Sequence, residues 1–335
     1  MRTEVIHGDC IDVMRSMPDK SIDLIVTDPP YFKVKGEAWD RQWDDADAFI
    51  RWLDTVAEQW HRLLRPNGSL YVFAWPKMAA RVELLIGEQF NVLQRITWAK
   101  PAFSTKAEMN AKEGQRQFFP VSEAIIFAEH KGADNMAKGE AGYAAKCDEL
   151  RGFVFEPLRT YLVTERDQAG FTNRRIDEAF REKTGNPKSG MAGHWFGRSQ
   201  WALPTAENYA WLRELFSRGD GHEYLRREYE DLRREYEDLR RPFSVTTDVP
   251  YTDVWTFPTV STRSGKHSCE KPLDMIEHIV RASSRPGAVV LDSFAGSGVV
   301  GEAAIRLGRS FVGIEADPKW VERARARLTA ATPRA

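Results

Sequence analysis

The chain has 335 residues, with 48 Lys and Arg against 49 Asp and Glu, 42% hydrophobic residues and 11 Trp. A net charge of −1 in such a composition describes a soluble globular protein of about two domains and excludes a disordered chain or a generally basic one. No apolar run approaches the ~18 to 20 residues that span a bilayer, the N-terminus lacks a signal-peptide core, and Cys10, Cys147 and Cys269 form no CxxC pair, which fits a reducing cytoplasm.

In chain order, residues 1–145 alternate short apolar runs with helical patterns. Strands are expected at 5–6, 22–27, 69–74, 92–99 and 123–128. Phe49, Ile50, Leu53, Val56, Ala57, Trp60, Leu63 and Leu64 recur at three-and-four spacing, a helix that Arg65-Pro66-Asn67-Gly68 should break. Residues 146–246 read as helical and rich in Arg and aromatics. There, 172–180 is a capped helix, followed across a Gly/Pro turn by 190–201, a pair resembling a helix-turn-helix reader. Arg174, Arg175, His194, Arg198 and Gln200 are its candidates to touch DNA, while Trp195, Phe196 and Trp201 suit a core. The heptapeptide Arg-Glu-Tyr-Glu-Asp-Leu-Arg occurs twice in tandem, at 227–233 and 234–240, which predicts a helix over 225–241 with a heptad stripe of Leu225, Tyr229, Leu232, Tyr236 and Leu239. Two heptads are too few for a free coiled coil, so the stripe should pack on its own domain, or alternatively on a second subunit. Residues 247–335 resume the alternation, with helices at 272–282, 299–307 and from 318, and strands at 288–291 and 311–314. Five strands from the front and two from the back would make one mostly parallel sheet of seven, covered on both faces.

Two segments carry the chemistry. The strand at 22–27 runs into Asp28-Pro29-Pro30-Tyr31. Paired prolines fix the backbone and remove two N–H donors, leaving carbonyls and the Asp28 carboxylate as acceptors beside an aromatic ring. That set suits a planar group bearing an NH₂, such as a nucleobase. The strand at 288–291 runs into Asp292-Ser293-Phe294-Ala295-Gly296-Ser297-Gly298 and then a helix, a turn where glycines admit a ligand close to backbone. Glu315 ends the next strand, where a carboxylate can accept from ribose hydroxyls. Gly296, Gly298 and Gly301 also match a dinucleotide fingerprint, so an NAD-dependent oxidoreductase is an alternative, although about 35 residues after Gly301 are too few for its second half.

The combination resembles the S-adenosylmethionine-dependent DNA amino-methyltransferases of β-type order. In that order the DPPY motif comes first, a target-recognition region next and the FxGxG motif last. The resemblance implies an α/β fold, a Rossmann-like class I methyltransferase sheet of seven strands, circularly permuted, with a helical target-recognition insertion. Residues 1–145 would be the catalytic half, 146–246 the DNA-reading region and 247–335 the cofactor half. Asp28, Pro29, Pro30 and Tyr31 would be catalytic. Asp9 and Cys10, Asp28, His267 and Lys271, and Asp292, Phe294, Gly296, Ser297, Gly298 and Glu315 would hold S-adenosylmethionine. The family usually has a Pro after the His of the 267–272 motif, where this chain has Ser268. Tyr31 would stack on a base flipped from double-stranded DNA, while Asp28 and the Pro29 carbonyl accept from its exocyclic NH₂. An Asp at the first position is typical of adenine-N6 transfer and a Ser of cytosine-N4. No Pro-Cys dipeptide of the C5-cytosine type is present. A DNA-binding regulator without catalysis would leave the intact Asp-Pro-Pro-Tyr unexplained.

The expected partners are double-stranded DNA and, through the heptad stripe, a homodimer. No metal is expected, because the seven histidines form no HExxH or Cys/His pattern. No block of nuclease size is left over, so any restriction partner should be separately encoded. The near-zero charge hides a segregation. Residues 172–204 hold six basic and three acidic side chains, and 95–120 hold five and two, so the two segments expected to meet DNA are each +3. The 101–120 loop could thereby close over a displaced strand.

Overall fold

The computed structural model describes residues 3–34, 41–100, 116, 118, 120–131, 143–198 (side chains from 155), 201–218, 221–245, 252–260 and 269–332. His267, Gln200 and most of the 101–120 loop lie outside the described residues. The chain divides into two compact units, residues 1–130 with 242–335, and residues 131–241.

The elements in chain order are β1 (Thr3–His7), α1 (Cys10–Ser16), β2 (Ile22–Thr27), α2 (Ala46–Leu63), β3 (Leu64–Ala74), α3 (Pro76–Gln89), β4 (Phe90–Ala99), β5 (Ser122–His130), α4 (Tyr143–Gln168), α5 (Asn173–Thr184), α6 (Ala192–Phe196), α7 (Ala206–Ser217), α8 (Tyr229–Leu239), β6 (Val254–Trp255), α9 (Leu273–Ser283), β7 (Val289–Asp292), α10 (Val299–Arg306), β8 (Ser310–Glu315) and α11 (Pro318–Ala330). The strands form one sheet in the order β1-β8-β7-β2-β3-β5-β4-β6. β5 runs antiparallel to both neighbours and every other pairing is parallel. The seven expected strands all form. The eighth, β6, is two residues long and extends the sheet beyond β4, too short to leave a periodic signal.

A sheet buried on both faces explains why its central strands read as unbroken apolar runs. Phe49, Leu53, Val56, Ala57 and Trp60 of α2 cover one face with α1 and α3, while Met275, Ile276, Ile279 and Val280 of α9 cover the other with α10 and α11. α2 starts where Asp45 accepts from Ala48 N at 2.7 Å. The Arg65-Pro66-Asn67-Gly68 segment corrects an expectation: it does not separate helix from strand but is a bulge inside β3. Leu64 pairs with Ile22 and pairing resumes at Ser69 with Leu24, so the residues that cannot serve the ladder loop out. Gly68 is required there, since a Cβ would lie 2.9 Å from the Asp23 carbonyl oxygen.

The second unit is helical around Leu158, Leu162, Ile176, Phe180, Trp195, Phe196, Trp201, Leu212 and Phe216. α5 is capped by Thr172 and runs on to Thr184, four residues past the expected end, stopping at Gly185 in the left-handed region (φ 67°). The repeat helix is shorter than predicted, 11 residues in place of 17. Leu225 has φ 52°, its N–H donates to Glu165, its carbonyl accepts from Tyr209 and Arg213, and Arg227 N donates to Tyr161. These tertiary bonds take the backbone groups a longer helix would need. Of the stripe, Leu232 is buried, and Tyr229, Tyr236 and Leu239 pack on the same core. The apolar face therefore serves its own unit.

Candidate active site

β1, β8, β7 and β2 are neighbours and parallel, so their carboxyl ends open along one edge of the sheet, the usual ligand edge of α/β folds. Gly8, Asp9 and Cys10 follow β1, Glu315 closes β8, the glycine turn follows β7 and Asp28-Pro29-Pro30-Tyr31 follows β2. With Lys271 they line a cavity of about 470 Å³, within the range of small-molecule sites. The two motif strands are cross-linked although 265 residues apart in sequence: Thr27 Oγ1 donates to Asp292 Oδ1 at 3.1 Å. Ser293 Oγ lies 2.9 Å from Thr27 Oγ1 and accepts from Trp60 Nε1 at 3.0 Å. Burial pushes the Asp292 carboxyl up to about 7, against hydrogen bonds from Phe294 N and Thr27 and with the charges of Asp28 and Glu315.

The glycine turn is specific in its bonds. Glu315 Oε2 accepts from Gly296 N (2.8 Å) and Oε1 from Asp317 N (2.9 Å), so each carboxylate oxygen retains capacity for one further donor. Gly298 begins α10 at φ 78°, where a Cβ would sit 3.0 Å from Ala324 Cβ. Gly301 serves packing, its place of a Cβ lying 2.5 Å from Leu328 and 2.7 Å from Phe311. Ser297 Oγ accepts from Arg327 at 3.2 Å, and Phe294 packs its ring on Trp52. Asp9 has a structural duty too: it caps α1, accepting from Ile11 N and Asp12 N. Burial, with Asp9 beside it, pushes the Cys10 thiol up to about 12, so it is no thiolate nucleophile.

At the other motif, Lys271 is not simply a wall of the cavity. Its ammonium is buried, 2.6 Å from Asp28 Oδ2, 3.0 Å from the Tyr31 hydroxyl and 3.2 Å from Glu123 Oε2. Tyr31 in turn donates to Glu123 Oε2 at 3.0 Å, and its ring stacks near Trp75 (centroids 6.5 Å, planes 28° apart). The loop beyond is strained, with Phe32 and Lys33 both left-handed at φ 60° and 57°. Asp28 Oδ1 is buried and has no hydrogen-bond partner. Burial raises the Asp28 carboxyl above the usual range, Lys271 opposes this and Glu123 adds to it. Burial also works to raise Glu123, but Lys271 and Lys100 outweigh it and hold that carboxyl at about 2.

Sequence reading missed Glu123, whose signal is a lone charge at the head of the apolar run of β5, and Trp52 and Trp320, which line the cavity with no local signal. Among the described lining residues, Asp9, Asp28, Glu270, Asp292, Glu315 and Asp317 face a single cation, Lys271. Among the described residues no cluster of His, Cys, Asp or Glu could hold a metal ion, and no helix is long and apolar enough to cross a membrane.

In the second unit Arg174 is 88% exposed and pairs with Glu178, and Arg198 is 67% exposed with Glu156 at 4.0 Å. Arg175 is exposed, lies over the Phe171 ring and donates to the Gly170 carbonyl, whereas His194 is half-buried. α6 has five residues and buries Trp195 and Phe196 in the core beside Trp201.

A mostly parallel sheet with one reversed strand, and a cavity where its front and back segments meet, define a class I methyltransferase fold. The chain belongs to the N6/N4 DNA methylase family, whose model matches residues 22–326. It is 25% identical over 333 residues to the DNA adenine methyltransferase YhdJ of Escherichia coli K12, covering 98% of this chain and 83% of that protein. In fold it is similar to TTHA0409 of Thermus thermophilus, a DNA modification methylase solved with S-adenosyl-L-methionine (TM-score 0.51, 21% identity, 99% of this chain and 95% of the other). It is similar also to the cytosine-N4-specific PvuII DNA methyltransferase (TM-score 0.54, 12% identity, 98% and 86%).

Proposed function

We propose that this DNA methylase transfers a methyl group from S-adenosylmethionine to the exocyclic N6 of an adenine flipped out of double-stranded DNA. The observation that carries the reading is Asp28 Oδ1, a buried acceptor without a donor at the mouth of a rigid Asp-Pro-Pro-Tyr turn. An amino group entering the cavity satisfies it, with the Pro29 carbonyl as second acceptor, and both draw the nitrogen lone pair out of conjugation with the ring. Flipping is required because these acceptors lie inside a cavity that a stacked base cannot enter.

The residues fit the cofactor. S-adenosylmethionine supplies a methyl group on a sulfonium cation, and six carboxylates against one lysine favour a cationic ligand. Glu315 has capacity for the ribose hydroxyls, Asp292 and the 296–298 turn form the adjoining wall, and Asp9, Cys10, Phe294 and Ser297 complete the lining. The same facts argue against NAD: Gly296 N is taken by Glu315, and an acidic wall repels a pyrophosphate.

The adenine assignment is supported by Asp28 at the first motif position and by the likeness to YhdJ. Nucleoside mass spectrometry of treated duplex DNA should show N6-methyladenine, and methylcytosine alone would replace the assignment with cytosine-N4. We assign DNA reading to the 131–241 unit through Arg174, Arg175, His194, Arg198 and Gln200. The cytoplasm, where DNA is at hand and the Cys10 and Cys269 thiols stay reduced, is the expected location. A homodimer would have to use a surface other than the repeat stripe, and sedimentation velocity at two concentrations tests for it.

A further inference from the structure

Glu123 belongs to neither motif, yet it organises the acceptor. Its carboxylate is nearly buried, with side-chain exposure of 9%, and both oxygens are engaged: Oε1 takes Lys100 Nζ at 2.5 Å, and Oε2 takes the Tyr31 hydroxyl and Lys271. Lys271 Nζ, at 4% exposure, has Asp28, Glu123, the Tyr31 hydroxyl and the Cys269 carbonyl as its described partners. Asp28, Lys271, Glu123 and Lys100 thus form a closed chain of two carboxylates and two ammonium groups that is neutral as a whole.

Such a chain is poor evidence for stability, since buried pairs seldom outweigh their desolvation. Glu123 is also unsuited to be a proton acceptor, because its oxygens are occupied and its carboxyl is held at about 2. What it does control is Lys271. The lysine faces two carboxylates, and how much of its charge serves Asp28 depends on how firmly the other one holds it.

We infer that Glu123 is a positioning residue that acts through Lys271 and Tyr31, anchoring the ammonium and the hydroxyl so that Asp28 stays fixed with Oδ2 paired and Oδ1 open to the substrate amino group. The inference rests on the proposed function for the identity of that amino group, but the electrostatic link is independent of it. The groups facing Asp28 are Lys271 ahead of α9, Glu123 on β5, Tyr31 in its own turn and Asp292 on β7, with Lys100 behind Glu123. Removing the Glu123 charge leaves Lys271 to Asp28 and lowers the Asp28 midpoint. Removing Lys100 makes Glu123 lean harder on Lys271 and raises it.

The experiment is a carbon-13 NMR titration of the full chain with labelled Asp side chains. Asp28→Asn identifies the Asp28 signal, and Glu123→Gln and Lys100→Met are compared with wild type. Lys100→Met, at the outer end of the chain, serves if the buried substitution fails to fold. The expected result is opposite shifts, down by ~1 pH unit in Glu123→Gln and up in Lys100→Met. The acid limb of kcat should follow, while KM for DNA is unchanged. An Asp28 midpoint that stays put in the folded variants overturns the inference, since a merely structural Glu123 would not move it. If the midpoints shift as stated but wild type transfers no methyl group to DNA, the functional reading fails and the positioning of Asp28 by Glu123 stands.

Discussion

Asp28→Asn exposes the difference between the two oxygens of one carboxylate. Lys271 Nζ lies 2.6 Å from Oδ2 and can only donate, so the amide must turn its carbonyl oxygen toward the lysine. The NH₂ then occupies the Oδ1 position, and the open acceptor becomes a donor facing the donor amino group of the base. Losing a well-placed partner for the reacting group costs about 10²–10³ in kcat, and the opposed donors add roughly another tenfold. The expected fall is therefore about 10³–10⁴. Lys271 keeps Glu123 as a counter-charge 3.2 Å away, and the rest of the cavity is untouched, so the protein should fold and bind S-adenosylmethionine. Asp28→Ala, which leaves space for water and no misplaced donor, should lose less activity than Asn. Single-turnover transfer of labelled methyl to duplex DNA, beside calorimetric titration with the cofactor, measures both effects. An Asn variant within tenfold of wild type, or more active than Ala, would refute the reasoning, as would loss of cofactor binding together with activity.

Three further outcomes are expected. His130 is buried between Leu64 and His61, and burial, then the His61 charge, depresses its imidazole to about 4. The folded value lies below the unfolded one, so its contribution is intact above pH ~6.5 and is lost as pH falls toward 4, by roughly 2 kcal/mol at pH 5. Melting of wild type and His130→Gln at pH 7 and 5 checks this, and equal slopes would remove His130 as the cause. Gly298→Ala forces a side chain into φ 78° and 3.0 Å from Ala324 Cβ, which should cost about 1–2 kcal/mol and weaken cofactor binding at the adjoining turn; an unchanged Tm counts against it. Arg198→Ala should weaken DNA binding and reduce the slope of log K against log salt by ~1, and affinity unchanged at every salt concentration takes Arg198 out of the reader.

Much of the site was legible because its two motifs are local. Asp28-Pro29-Pro30-Tyr31 and the 292–298 turn each act through consecutive residues whose backbone constraints are written in Pro and Gly. Glu123 shows the opposite case. In sequence it is one charge in an apolar strand, and it acquires meaning only because β5 is reversed beside β3, in the same sheet that carries Asp28 at the end of β2. The Arg65-Pro66-Asn67-Gly68 segment was read correctly as a break in regular pairing but misplaced as a boundary, because whether a Pro and a Gly end a strand or bulge from it depends on the neighbour's register.

Periodicity and motif order by themselves determined the alternating α/β fold, the meeting of front and back segments in one sheet, and the family resemblance, since each is carried by residues close in sequence. The repeat helix marks the limit: its propensity and heptad spacing favour 17 residues, but Glu165, Tyr161, Tyr209 and Arg213 withdraw the backbone of Leu225 and Arg227 into other hydrogen bonds. Lys271 marks it again, a residue assigned to the cofactor by its motif and found holding Asp28. Partners distant along the chain decide which of two locally acceptable states has its polar groups satisfied, and only the tertiary structure brings those partners together.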